Sequence, residues 1–362
     1  MANRVFNFNA GPAVLPPPVL ERTAAAVREL GSCGMSLLEI SHRGKEYAAI
    51  NQGAQERFAR LTGLEKTHTI LFMGGGASLQ FYAVPLNLMP KGGKADYVVT
   101  GSWSKKAVSE AKRVGTPQIA GTSEAESFTR IPKMSELKLD PAAAYLHYTS
   151  NNTIYGTEWH YVPEAGAVPL VVDASSDILS RRVDFSRHAL LYAGAQKNLG
   201  PAGVTLVAIR KDLLARSAAD LPPMLSYAVH ADQSSLYNTP PVFAVFVVGL
   251  VLEWIESEGG LAGIEARNRK KADELYAAID GSSGFYRGTA APDSRSAMNV
   301  TFRLPSEDLE KKFLEAAGPE GLAGLKGHRS VGGCRASLYN ALAPEAVSAL
   351  VQFMREFQRR NG

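Results

Sequence analysis

Between about residue 64 and residue 210 the chain alternates short apolar, β-rich runs with longer helix-capable stretches. The runs are "HTILFM", "ADYVVTG", "AAYLHYT", "PLVVDAS", "ALLYAGA" and "VTLVAIR". This rhythm predicts an α/β fold with a mostly parallel sheet covered by helices. Ahead of it stand an opening arm, a helix-like "PPVLERTAAAVREL" and a Gly/Ser segment carrying "EISHRGKEY". Behind it, "FAVFVVGLVLEWI" is apolar all round, as a buried or interfacial helix would be. "GGLAGIEARNRKKADELYAAID" reads as a long amphipathic helix with a solvated charged face. The last third offers strands at "MNVTFRL" and "CRASLYN" and helices at "SEDLEKKFLEAAGPEG" and "EAVSALVQFMREFQRR", which together make a smaller α+β layer. The expected organisation is an arm over 1–15 joining the small domain, a large domain over 16–255 and a small C-terminal domain over 256–362.

Composition narrows the function classes. The 362 residues are enough for a large core plus a smaller unit. Lys and Arg number 39 against 35 Asp and Glu, a net charge of +4, far from the concentrated basic face of a nucleic-acid binder. Small anionic ligands remain compatible with it. Cys33 and Cys334 are the two cysteines, too few for a disulfide framework and outside any CxxC spacing, so no metal site is expected. The N-terminal residues lack the pattern of a secretory signal, and the apolar run Phe243 to Ile255 is shorter than the roughly 20 residues of a membrane span. The expectation is a cytoplasmic protein with no membrane partner.

Three features suggest chemistry. Asp173 follows the β-branched run of "PLVVDASS", which puts a carboxylate at the carboxyl end of a buried strand, where open α/β sheets bind ligands. Lys197 sits in "YAGAQKNLGPAG", among small apolar residues just past another strand. The segment "ILFMGGGASLQFYAV" reads strand, glycine turn, helix, so its exposed N–H groups can cup an anion. It lacks both the Walker lysine and the third glycine of a dinucleotide fingerprint. Singly, each has a structural reading: an ion pair, a helix cap, a tight turn. Together, an amine, an acid and an anion cup match what pyridoxal 5'-phosphate requires of a protein. Trp103 could stack on its ring and Thr153 could donate to its hydroxyl. A dehydrogenase, a cysteine desulfurase and a non-catalytic phosphate-binding protein are the competing classes.

The ordered motifs "FNFNAGPAVLP", "EISHRGKEY", "GGGASLQF", "DASSDILSR", "YAGAQKNLGPAG", "YNTPPVFA" and "KGHRSVGGCRASLYNA" resemble those of the phosphoserine aminotransferase family, in the class V branch of the aminotransferases. The resemblance spans almost the whole chain. It implies an aspartate-aminotransferase-like fold and a homodimer with active sites at the subunit interface. It implies that Lys197 binds the cofactor aldehyde and Asp173 faces the ring nitrogen. Trp103 and Thr153 would contact the ring, and Gly76, Ala77 and Gln196 the phosphate, with Asn238 and Thr239 arriving from the other subunit. His42, Arg43, His328, Arg329 and Arg335 would bind substrate, His328 and Arg329 reaching over from the partner. L-Glutamate and a phosphorylated 2-oxoacid of three carbons, with four also possible, would be the substrates. Ala77 stands where some members carry arginine, so no side-chain contact with phosphate is expected there.

Overall fold

A computed structural model describes residues 4–362; residues 1–3 of the expected arm lie outside the described residues. A seven-stranded sheet forms the centre, in the order His68–Met73, Thr205–Arg210, Leu190–Gly194, Leu170–Asp173, Leu146–Thr149, Lys94–Val99, Thr116–Thr122. Thr205–Arg210 runs antiparallel to both neighbours and the other adjacent pairs are parallel. Two reversals in succession therefore leave His68–Met73 pointing the same way as the rest.

Successive side chains of a strand point to opposite faces, and here both faces are covered. Ile70, Phe72, Leu191, Ala193, Leu206 and Ala208 enter one apolar cluster. Leu71, Met73, Leu190, Tyr192, Val207 and Ile209 enter another on the opposite side. That is why the runs read as continuous apolar stretches instead of alternating ones. Helix Val242–Ser257 lies against helix Lys45–Thr62 in the first cluster and buries most of its apolar side chains, while Phe243 is exposed and Phe246 half-buried.

A third apolar cluster lies in the C-terminal part, around an antiparallel sheet of Arg287–Gly288, Asn299–Arg303 and Cys334–Ser337. Helix Pro344–Asn361 and the later turns of helix Gly260–Asp280 cover it. That long helix begins in the first cluster, with Ile264, and ends in the third, with Leu275 and Ile279. Its charged face is not wholly solvated: Lys271 and Asn268 are buried, a correction to the sequence pattern. Near the N-terminus, Phe6–Asn7 pairs in parallel with Leu322–Ala323, and Phe8 is buried in the third cluster. Among the described residues no helix is long and apolar enough to cross a membrane, and no group of His, Cys, Asp or Glu could hold a metal ion.

Candidate active site

The parallel strands bring their carboxyl ends to one edge of the sheet, and the loops that leave them carry the reactive side chains. Met73 leads into the glycine turn, Val99 into the helix bearing Trp103, Thr149 towards Thr153, Leu170–Asp173 ends on the acid, and Gly194 leads to Lys197. Thr149 is in register with Asp173, and Asp173 with Tyr192. A cavity of about 360 Å³ opens there, lined by Gly76, Ala77, Trp103, Thr153, Asp173, Gln196, Lys197, His328 and Arg335 among others.

Asp173 Oδ1 accepts from the backbone N–H of Ser175 at 3.0 Å and from its hydroxyl at 2.6 Å. Burial pushes the carboxyl up from the usual carboxylate range, opposed by the Ser175 bonds and the Lys197 charge. Burial likewise pushes the Lys197 amine down to about 8, while Asp173 pulls it up and Arg335 pushes it further down. The amine lies 5.9 Å from the Trp103 ring centroid. Trp103 Nε1 donates to the Thr153 hydroxyl at 3.1 Å, which leaves the threonine proton free to be donated. The Thr153 carbonyl accepts from Arg335 Nη1 at 2.9 Å. One residue thus fixes both the aromatic face and the guanidinium.

Several polar groups here lack partners. Helix Gly76–Leu88 starts with no side-chain cap, so its first N–H groups are available. Arg335 Nε and Thr149 Oγ1 are buried without a hydrogen bond, and burial lowers the Arg335 pKa. Leaving such a group unsatisfied costs of order 1–3 kcal/mol, which an anionic ligand would recover. An enclosed amine, a half-satisfied acid, an uncapped helix start and an aromatic face fit pyridoxal 5'-phosphate, and the cavity has the size of a small-ligand pocket.

The chain does not bring every expected residue into this cavity. His42, Arg43, Asn238 and Thr239 are not among its lining residues, and Asn238 and Thr239 are exposed. His328 lines the cavity of its own chain, where the resemblance has it arriving from a partner; the hairpin Lys326–Cys334 carries it there directly. Arg329 is exposed beside it. Cys33 is outside the cavity, and Cys334 lines a neighbouring one of about 260 Å³, its thiol pushed up to about 12 by burial. Neither cysteine stands as a nucleophile beside Lys197.

Sequence reasoning missed Ala10 and Gly11, which line the cavity from the N-terminal arm. A Cβ on Gly11 would lie 3.2 Å from Lys197 Cγ, so the arm closes on the lysine stem. The glycine in "NAGP" was the available signal. Ser175 was also missed, although an acid followed two residues later by serine is a frequent side-chain-to-backbone turn.

The class-V aminotransferase family matches residues 5–350. The phosphoserine aminotransferase of Desulfatibacillum aliphaticivorans is 57% identical over 364 residues, covering 100% of both chains. The solved phosphoserine aminotransferase of Bacillus circulans subsp. alkalophilus is 53% identical, superimposes with a TM-score of 0.98 and covers 100% of both chains. A pyridoxal-phosphate-bound phosphoserine aminotransferase from Trichomonas vaginalis is 40% identical, with a TM-score of 0.92 over 97% of this chain and 100% of its own. With its amine, acid and anion cup at one sheet edge, the chain belongs to the class-V aminotransferases, pyridoxal-phosphate-dependent enzymes, and within them to the phosphoserine aminotransferases.

Proposed function

We propose that the enzyme moves the amino group of L-glutamate reversibly to 3-phosphohydroxypyruvate, giving 2-oxoglutarate and O-phospho-L-serine in two half-reactions. The observation that carries this reading is the shared cavity of Lys197 and Asp173, with Arg335 on its wall. When bound, pyridoxal phosphate supplies an aldehyde that carries the amino group and a ring that accepts the electron pair of the substrate α-carbon. Lys197 would hold the aldehyde end and Asp173 the ring nitrogen. The backbone at Gly76 and Ala77, with Gln196, would hold the phosphate; Trp103 and Thr153 would hold the ring.

Lys197 has a second task. Once a substrate amine displaces it, its own amine, neutral above about pH 8, can take the proton from the substrate α-carbon. Arg335 would grip the α-carboxylate in a two-pronged contact, and His328 with Arg329 would face the distal anion. Asn238 and Thr239 belong, as the resemblance implies, to the partner's site in a homodimer, and in this reading His42 and Arg43, which the resemblance did not have crossing, belong there too because they do not line their own chain's cavity. Exposed apolar side chains support it: Met35 and Leu38 precede His42, and Tyr237 and Phe243 flank Asn238 and Thr239. Water-facing residues of this size on segments that also carry ligand-binding polar groups are typical of a subunit contact.

The test is a two-substrate assay of the purified holoenzyme. Initial rates should give parallel double-reciprocal lines, the signature of two half-reactions. Lys197→Ala should lose at least about a thousandfold in turnover, since it removes both the tether and the proton carrier. Comparable turnover by parent and variant would remove the lysine from the mechanism.

A further inference from the structure

Lys271 lies in the middle of helix Gly260–Asp280 with no exposed surface. Its amine donates to the carbonyl oxygens of Leu338 at 2.8 Å, Tyr339 at 2.8 Å and Leu342 at 3.2 Å. An ammonium has three donors, and all three are spent on one turn of chain. Burial pushes the pKa of this amine well down, the like-charged Arg267 pushes it further, and no carboxylate compensates, so the three carbonyl acceptors are all that favours its protonated form. A lysine in a core costs far more than a leucine or methionine of the same volume unless its hydrogen bonds are needed. What those bonds hold is therefore informative.

The turn at 338–342 directly follows strand Cys334–Ser337, which carries Arg335. From it two branches reach Lys197. The backbone N–H of Asn340 donates to Asn198 Oδ1 at 3.0 Å, and Asn198 is the residue after Lys197. The hydroxyl of Tyr339 donates to the carbonyl of Ala10 at 2.8 Å, and the following residue, Gly11, lies against the lysine stem. Asn268, three residues before Lys271 and so on the same helix face, donates to Asn340 Oδ1 at 2.8 Å and to the Ser180 carbonyl at 2.9 Å.

We propose that Lys271 is a positioning residue for the amino-transfer reaction: its amine, bonded to three carbonyls, pins the 338–342 turn, and that turn holds the backbone on one side of Lys197 and the arm on the other. The proposal rests on the amino-transfer reading given above. Helix Gly260–Asp280 thereby couples the C-terminal apolar cluster to the placement of the reactive amine, some distance from any atom it touches itself. A small displacement of that amine from its working geometry is costly, because a shift of about 1 Å can lose a hundredfold in rate.

The experiment compares holoenzymes of the parent, Lys271→Met, Lys271→Gln and Val347→Ala, the last a core truncation in the same C-terminal cluster. Lys271→Met should lower kcat at least about tenfold in both half-reactions while KM changes less than about threefold. Amide hydrogen exchange across residues 195–200 should rise with it. Lys271→Gln, which keeps two donors, should recover most of kcat and of the exchange protection. Val347→Ala should lose thermal stability with neither effect. The idea is overturned if Lys271→Met loses no more kcat than Val347→Ala at matched Tm, or if exchange over 195–200 is unchanged. Should Lys271→Met fail to fold, Tyr339→Phe decides: it removes the hydroxyl link to Ala10 together with a longer bond from Asn299 Nδ2, which keeps its bond to Ser337 Oγ, and parental kcat and exchange in that variant also overturn it. An inactive parent would instead sink the amino-transfer reading, leaving the exchange measurement to judge the coupling.

Discussion

At the scale of single residues, the site works by holding charged groups away from water and letting them offset one another incompletely. Lys197 has its pKa lowered to about 8, first by burial, with Asp173 opposing that shift. A lysine with a depressed pKa is protonated below that value and neutral above it, so its nucleophilic fraction grows as pH rises through about 8 instead of above 10. Trace acetylation of the cofactor-free chain, read peptide by peptide, should show Lys197 half-maximally reactive near pH 8. Because Asp173 raises the value, Asp173→Asn should move the midpoint lower still; a midpoint at the ordinary lysine position, or an upward move in the variant, contradicts the account. Lys197 and Asp173 pointed to chemistry in the sequence only in combination: each alone reads equally as an ion pair or a cap, and it was an amine, an acid and an anion cup together that matched one ligand. Lys271 was not legible there, since a lysine in a helix with charged neighbours carries the same signature whether the face is wet or buried. Nor was Gly11, because nothing in one dimension says that an arm will fold back onto the lysine stem.

At the scale of elements, the glycine turn shows why local chain geometry must be chemically specific. Gly75, at the start of helix Gly76–Leu88, has φ +86°, and a Cβ there would stand 2.5 Å from Leu79 Cδ2. Gly76 follows at φ +65°. This left-handed backbone, which L side chains adopt at a cost of about 1–2 kcal/mol, leads into a helix whose uncapped first residues, Gly76, Ala77 and Ser78, line the cavity. Gly75→Ala should therefore lower Tm and weaken pyridoxal phosphate retention by at least about tenfold, as the turn relaxes and the donors rotate away. Gly74→Ala, where a Cβ meets nothing within 4 Å, serves as the control and should retain both. Equal retention in the two variants would mean that the helix start does not hold the anion. The strand–turn–helix was legible from its apolar run and glycines. Strand Thr116–Thr122 was not: it lies at the sheet edge, most of its residues keep some exposure, and "TPQIAGT" lacks the continuous apolar run of a covered strand.

At the scale of the whole molecule, the incomplete cavity is the decisive feature. Four residues that the family resemblance assigns to ligand binding are absent from the lining of the chain's own cavity, yet sit beside exposed large apolar side chains. Two-fold pairing of such surfaces would carry His42, Arg43, Asn238 and Thr239 of one protomer to the cavity of the other, so that each site is built from both chains. The family likeness implied such a crossing for Asn238 and Thr239, and for His328 and Arg329, but not for His42 and Arg43, and a single chain's pattern does not encode which surface meets its twin. Mixing two defective enzymes separates the possibilities. Lys197→Ala lacks the amine but keeps Arg43, whereas Arg43→Ala lacks the guanidinium but keeps the amine. If Arg43 serves the opposite site, a mixed dimer has one site with both defects and one with neither. Random exchange at equal concentrations makes half the dimers mixed, so activity should return to about one quarter of the parental value. If Arg43 serves the site of its own chain, every site in the mixed dimer carries a defect and the mixture stays as inactive as its components. Activity should also reappear only at the rate at which subunits exchange, which ties the recovered turnover to shared sites and not to contaminating parent enzyme.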